Sequence, residues 1–138
     1  MNAPRVLVTG ATGFAGSHLL DRLPREGEIF AGYRPGGTLP TSHHDVTWTP
    51  LDVADRASVD LTVRQVRPTH VYHLAGAASV ESSWRNAVPH LQVNALGTQH
   101  LLEAIRGAGA PCRMLVVTSA QVYQPAPIAL NEDAPAPH

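Results

Sequence analysis

The stretch Val6 to His18 reads V-L-V-T-G-A-T-G-F-A-G-S-H, an apolar run that stops at three glycines, Gly10, Gly13 and Gly16, before a second apolar run begins. Glycine at these spacings meets separate needs: a tight strand-to-helix turn, a backbone bare enough for a pyrophosphate to approach, and close packing of a helix on its strand. The anion of such a site sits on the unpaired N–H groups and positive dipole end of the helix, which here begins near Phe14. A glycine triplet alone also fits a plain turn leading into a helix. In this chain the strand before it, Arg5 to Thr9, and the apolar helix after it (Ala15, Leu19, Leu20, Leu23) supply the context that a dinucleotide phosphate site requires.

Outward from this junction, short β runs alternate with helical ones, and no repeat or low-complexity tract interrupts them before residue 124. That is the pattern of an α/β fold with a parallel sheet and crossover helices. Strands are expected near residues 5–9, 28–33, 46–51, 70–75 and 113–118, each bounded by Gly, Pro or polar residues. The clearest helical pattern runs from Trp84 to Arg106, where Trp84, Val88, Leu91, Ala95, Thr98, Leu102 and Ile105 recur at alternating spacings of four and three on one face. Pro89 belongs in a first turn, so the helix proper starts close to it, and Gly107 and Gly109 end it. From Gln124 onward the chain is rich in Pro and Ala (Pro125, Pro127, Pro135, Pro137), which reads as an extended loop or tail. Residues 1–123 are therefore expected to form the nucleotide-binding portion and 124–138 a Pro-rich appendage.

A length of 138 residues fits one domain with a sizeable core and leaves no room for a second. The net charge of −1 and a pI near 6.7 give no electrostatic case for nucleic acid or an anionic membrane as partner. No apolar stretch reaches the roughly 18 residues of a membrane span, and the N-terminus lacks the basic-then-apolar order of a signal peptide. A soluble, cytoplasmic protein is the expectation. The single cysteine, Cys112, excludes an internal disulfide and precedes an apolar strand, where packing is its natural role. Of the eight histidines only His43 and His44, beside Asp45, cluster, and no spacing matches a zinc site, so no metal is expected. His73, at a strand end, reads as a hydrogen-bonded core histidine.

Further motifs follow the glycine turn in order: L-D-V-A-D at Leu51 to Asp55, H-L-A-G at His73 to Gly76, V-N-A-L-G-T at Val93 to Thr98 and T-S-A-Q-V-Y at Thr118 to Tyr123. With G-x-x-G-x-x-G they make the chain resemble, over nearly its whole length, the extended short-chain dehydrogenase/reductases of the NAD-dependent epimerase/dehydratase type. S-V-E-S-S-W at Ser79 to Trp84, ahead of the long helix, is similar to the nucleotide-sugar branch: sugar epimerases, 4,6-dehydratases and 4-keto-sugar reductases, the GDP-mannose enzymes above all. The resemblance implies a Rossmann-type, doubly wound parallel sheet with about five strands present, a nicotinamide dinucleotide cofactor, a nucleotide-sugar substrate and a homodimer in the complete protein.

The resemblance also assigns roles. Gly10, Thr12, Gly13, Phe14, Ala15 and Gly16 would cradle the cofactor phosphates. Asp52 would accept from the adenine amino group and the Val53 N–H would meet a ring nitrogen, although a capping Asp at a strand-to-helix turn is as natural. Leu74, Ala75 and Gly76 would close the fourth strand at the carboxyl edge of the sheet, where ligands of open α/β sheets bind. Asn94 would sit in the long helix facing the sheet, a costly place for an amide without partners, and make a structural or water-relaying hydrogen bond near the site. Ser119 matches the catalytic Ser/Thr, whose hydroxyl hydrogen-bonds the sugar C4 oxygen as it becomes or stops being a carbonyl. On its own, without the motif around it, a serine at a strand end reads as a solvated turn residue.

Three positions bear on the reaction and the cofactor. Members of the resembled family carry Tyr-x-x-x-Lys beyond the stretch matched by L-N-E-D-A-P at Leu130 to Pro135, but this sequence has no lysine, and Tyr123 has none four positions on. The expectation is an N-terminal cofactor-binding portion, truncated before the Tyr-x-x-x-Lys helix, without the substrate domain, inactive by itself and prone to associate through the open edge of its fifth strand. The end of the second strand reads A-G-Y-R-P-G-G with no acid to hold both ribose hydroxyls and with Arg34 where a 2′-phosphate would lie, which favours NADP over NAD unless Arg34 is a solvated loop residue. Gln121 stands two residues after Ser119, where 4,6-dehydratases carry a carboxyl group, and an amide cannot accept and return a proton. The reading is a 4-keto-6-deoxy-sugar reductase of the GDP-mannose type first, an epimerase next and a dehydratase last; a non-catalytic dinucleotide-binding module, stable as it stands, is the alternative of another class. Gln124, where the family usually has glycine, alters the loop near the site.

Overall fold

The computed structural model describes residues 3–119 and 122–135. Five strands, β1 (Arg5–Thr9), β2 (Glu28–Tyr33), β3 (Thr47–Pro50), β4 (His70–His73) and β5 (Arg113–Val116), pair in parallel in the order β3-β2-β1-β4-β5. Helices α1 (Phe14–Arg22), α2 (Arg56–Val66), α3 (Val80–Arg85), α4 (Val88–Leu91) and α5 (Gly97–Ala108) connect them, with a π-helical turn, Gln92–Leu96, joining α4 to α5. This is the parallel sheet with crossover helices that the alternation predicts and the doubly wound Rossmann-type arrangement that the resemblance implies.

β1 lies at the centre, and Leu7, Val8 and Thr9 are all fully buried, as an apolar run covered on both faces must be. Alternation of side chains along the strand splits the interior in two. Leu7 packs with Leu51, Val53, Val59, Val63, Val66, Val71, Leu101 and Ala104 under α2 and α5. Val8 packs with Ala11, Leu20, Leu23, Ile29 and Ala31 under α1. The chain moves outward from β1 to β2 and β3 on one side and to β4 and β5 on the other, so the strand order reverses between β1 and β4. The crevice at the carboxyl ends of these two strands is where open α/β sheets bind ligands.

Each expected strand is present, β1 and β2 with the expected bounds and β3, β4 and β5 shorter. β4 stops at His73, so Leu74, Ala75 and Gly76 follow the strand, although the Leu74 N–H still reaches the Thr9 carbonyl at 3.3 Å. The helix expected over Trp84 to Arg106 is instead three pieces. It starts at Val88 with Pro89 in its first turn, as expected, and ends at Ala108 with Gly109 in a left-handed cap (φ 67°). Gly107 lies inside its last turn. Trp84 belongs to the separate α3 and is 86% exposed, and Val88, Leu91 and Leu102 are exposed too. Within α5 the face laid on the core is Gly97, Leu101 and Ala104, with Ile105 of the expected stripe packed at its margin, and the π turn sets the residues upstream of it in a different phase. Asn94, in that π turn, is exposed, and its amide bonds to the backbone of Ala77.

Residues 122–135 form no strand or long helix. They fold back on themselves, with the Gln124 N–H donating to the Pro135 carbonyl at 3.4 Å and the Asn131 side chain accepting from the Asp133 N–H at 3.2 Å. β5 is an edge of the described sheet, and Leu115, Val116 and Val117 along it are exposed. Gln121 lies outside the described residues.

Candidate functional site

The glycine turn is held by backbone geometry. Gly10 has φ +66°, and a Cβ there would stand 2.7 Å from the Ala75 nitrogen and 2.8 Å from the Leu74 carbonyl carbon, so the turn presses directly on the segment after β4. The Gly13 N–H closes the turn on the Gly10 carbonyl at 3.0 Å, and the Ala11 N–H anchors it to the Gly32 carbonyl of β2 at 3.1 Å. At Gly16 a Cβ would lie 2.3 Å from the Gly10 oxygen, which is how closely α1 rests on the turn. Gly13 is the N-cap of α1, with no side-chain hydrogen bond capping the helix and no acid in its first turn. Thr12, Phe14 and Ala15 are exposed beside it. The result is a helix start whose orphan amides and positive dipole end face outward, suited to an anionic ligand.

Arg34 and Asp52 stand together at the ends of β2 and β3, Arg34 Nε 3.7 Å from Asp52 Oδ2, with the arginine side chain 80% exposed. Asp52 Oδ1 accepts from the Ala54 N–H at 3.0 Å, and the Asp52 N–H donates to Ser58 Oγ at 3.1 Å. The cap of α2 is Asp55, which accepts from the Ala57 N–H at 3.0 Å. Asp52 therefore orders the loop ahead of the helix and keeps one oxygen toward Arg34. Val53 is buried beneath α5, close enough that a Cβ on Gly97 would meet its Cγ2 at 2.9 Å, and its carbonyl accepts from His100 Nδ1–H at 3.0 Å.

On the other side of β4 a cleft of about 830 Å³ opens between the carboxyl ends of β4 and β5 and the π turn; Leu74, Ala75, Gly76, Asn94, Thr98 and Ser119 are among its lining residues. Asn94 grips Ala77 on both backbone groups, accepting from its N–H at 2.7 Å and donating to its carbonyl at 3.1 Å. The amide thus has partners, though they are backbone groups of the β4–α3 connection. His90 also lines the cleft, its Nε2 3.0 Å from the Ser79 carbonyl and its Nδ1 shielded and without a partner among the described residues.

The expected residues therefore fall into two groups along one sheet edge. Gly10 to Gly16, Arg34 and Asp52 lie around the ends of β1, β2 and β3; Leu74 to Gly76, Asn94 and Ser119 lie in the cleft; Gly10 against Ala75 is where the groups meet. His73 is a buried, hydrogen-bonded histidine as expected, between Thr9 Oγ1 at 2.7 Å and Thr98 Oγ1 at 3.0 Å, and burial holds its pKa below the ordinary imidazole value. Thr9 and Thr98 were not legible as site residues. The signal for Thr9 is a hydroxyl in an otherwise apolar central strand, which has to find a partner somewhere, while Thr98, on helix α5, carries no comparable signal.

A profile of the NAD dependent epimerase/dehydratase family matches residues 6–138. The chain belongs to that family. This family member is 33% identical over 119 residues to the GDP-6-deoxy-D-mannose reductase of Pseudomonas aeruginosa, a match covering 86% of the chain and 35% of the relative. It is 31% identical over 126 residues to the CDP-glucose 4,6-dehydratase of Salmonella typhimurium, again covering 86% of the chain and 35% of the relative. The solved structure of Thermus thermophilus UDP-glucose 4-epimerase in complex with NAD superposes with a TM-score of 0.80 at 34% identity, over 96% of this chain and 44% of that one. The chain thus spans about a third of the length of these two curated relatives.

Proposed function

We propose that this chain is the dinucleotide-binding part of an NADP-dependent enzyme acting on a nucleotide-sugar. The observation that carries the reading is the glycine turn: Gly10 in a left-handed conformation against Ala75, and an uncapped α1 whose first amides face outward. These features fit a dinucleotide, whose pyrophosphate needs bare backbone N–H groups and whose adenosine end needs polar groups at the ends of the neighbouring strands. Asp52 would take the adenine amino group and Arg34 the 2′-phosphate. The cofactor supplies hydride exchange with the sugar carbon. Within the chain, Ser119 would place a hydroxyl donor at the sugar C4 oxygen and stabilise the charge that builds there, while Asn94 holds the cleft wall through Ala77.

Among family reactions we favour reduction of a 4-keto-6-deoxy sugar of the GDP-mannose type, with epimerisation next. The support is Gln121, an amide where elimination needs a proton-transferring carboxyl, together with the likeness to a reductase. The tyrosine and lysine that exchange the proton would lie in the rest of a longer protein, and the homodimer and the cytoplasmic setting belong to the same proposal. Titration with NADPH and NADH tests the cofactor reading. A charge-assisted pair between Arg34 and a 2′-phosphate is worth about 1.5–3 kcal/mol, so wild type should prefer NADPH by roughly ten- to a hundredfold and Arg34→Ala should lose that preference. Equal affinity for both nucleotides in wild type would overturn it.

A further inference from the structure

The hydroxyls and amides around His73 admit only one arrangement of hydrogens. Thr98 Oγ1 donates to the Asn94 carbonyl at 2.8 Å, because a carbonyl can only accept. With its one hydrogen used, that oxygen can only accept from His73, 3.0 Å away, so Nε2 carries the imidazole hydrogen. Nδ1 of the neutral ring is then an acceptor and takes the Thr9 hydroxyl hydrogen at 2.7 Å, while Thr9 Oγ1 itself accepts from the Ala75 N–H at 3.1 Å. The chain runs without a break or a reversal: Ala75 N–H to Thr9, Thr9 to His73, His73 to Thr98, Thr98 to the Asn94 carbonyl.

Its two ends are the two walls already described. Ala75 is the backbone against which Gly10 of the glycine turn is pressed, and Asn94 is the residue whose side chain grips Ala77 across the cleft. The Thr98 hydroxyl is bonded within the span where the helix changes from π to α register, so it fixes the position of that change as well as the hydrogen bond it makes. A charged imidazolium would break the order, since Thr9 Oγ1 would then accept from both Nδ1–H and the Ala75 N–H and its own hydrogen would lose its acceptor.

We propose that His73 is a positioning residue: locked as the Nε2–H tautomer, it ties the back of the glycine turn to the π turn that carries Asn94, so that both walls of the nucleotide edge are set as one unit. It rests on the functional reading above only for the choice of NADPH as one probe.

The test uses the full 138-residue chain. Thr98→Val removes the hydroxyl at nearly constant shape, and Thr98→Ser restores it. Imidazole ¹⁵N shifts of wild type should show the neutral Nε2–H form, and Thr98→Val should mix the two tautomers. Hydrogen exchange at the Ala77 amide, which donates to Asn94 Oδ1 at 2.7 Å, should speed up on the order of tenfold in Thr98→Val and return toward wild type in Thr98→Ser. Amides of β1 and β2 should keep their protection. NADPH affinity should fall several-fold in Thr98→Val and recover in Thr98→Ser. An Nδ1–H tautomer in wild type, or exchange that rises equally at Ala77 and throughout β1 and β2, would overturn the proposal. Failure of wild type to bind NADPH would instead count against the cofactor assignment and leave the tautomer and exchange results to decide the role of His73.

Discussion

Gly10 and Gly13 stand three residues apart in one turn, yet alanine should do opposite things at them. At Gly10 the φ of +66° costs a side-chain-bearing residue about 1–2 kcal/mol. The added Cβ would also meet the Ala75 nitrogen at 2.7 Å and the Leu74 carbonyl carbon at 2.8 Å, backbone atoms that cannot rotate aside, an overlap worth about 1–3 kcal/mol. Gly10→Ala should therefore lose roughly 2–5 kcal/mol, a large share of the roughly 5–15 kcal/mol that holds a domain together. Gly13 has φ −78° and ψ 170°, open to any residue, and its Cβ would meet only the Gly10 oxygen, at 3.2 Å. The small squeeze is offset by the lower entropy of the unfolded alanine chain, about 0.4–1 kcal/mol, so stability should change by less than about 1 kcal/mol. The methyl would nonetheless stand at the helix start where a pyrophosphate approaches, and NADPH affinity should fall tenfold or more. Urea unfolding followed by circular dichroism gives the first quantity and fluorescence titration the second. A Gly13→Ala chain that binds like wild type, or a Gly10→Ala chain as stable as Gly13→Ala, would refute the reasoning.

Two other outcomes follow from individual contacts. Asp55→Ala removes the side-chain acceptor at the start of α2 and should cost about 1 kcal/mol, read as a lower thermal midpoint with no change in NADPH affinity. Burial holds the folded-state pKa of His73 below its ordinary 6.5, so the unfolded chain takes up this proton first. The contribution of His73 to stability is then full above about pH 6.5 and is lost as pH falls from there toward the folded-state pKa, with a limiting slope of about 1.4 kcal/mol per pH unit. His73→Gln should lack that part of the acid dependence, and identical pH–stability profiles for the two proteins would contradict it.

What the sequence makes legible is what its local sterics decide. The glycine turn, the buried β1 and the cap at Gly109 each depend on residues a few positions apart, and each is found where the pattern puts it. Asp52 shows how far that reach extends: its local bond to Ala54 N–H is the turn-ordering role open to any such Asp, while its neighbour Arg34 is brought in by strand pairing between β2 and β3. The His73 chain is invisible for the same reason, since Thr9 and Thr98 stand 64 and 25 residues from it. The stripe from Trp84 to Ile105 misleads because periodicity reports a face without saying which way it looks. Val88, Leu91 and Leu102 share a spacing with Ile105, but only Ile105 packs at the core's margin, and the buried seats go to Leu101 and Ala104, one step around the helix.

The π turn at Gln92–Leu96 acts as a phase shifter between two lengths of helix. A single extra residue wound into it offsets everything upstream by about 100° about the axis and about 1.5 Å along it, relative to an unbroken α-helix. Deleting one residue from this span would let α4 and α5 run on in one register. Leu101 and Ala104 would keep their seats on the sheet, while Val88, Leu91 and the amide that grips Ala77 would swing away together. One run of helix can in this way obey two masters, the core at one end and the cleft at the other, because its winding is miscounted by one.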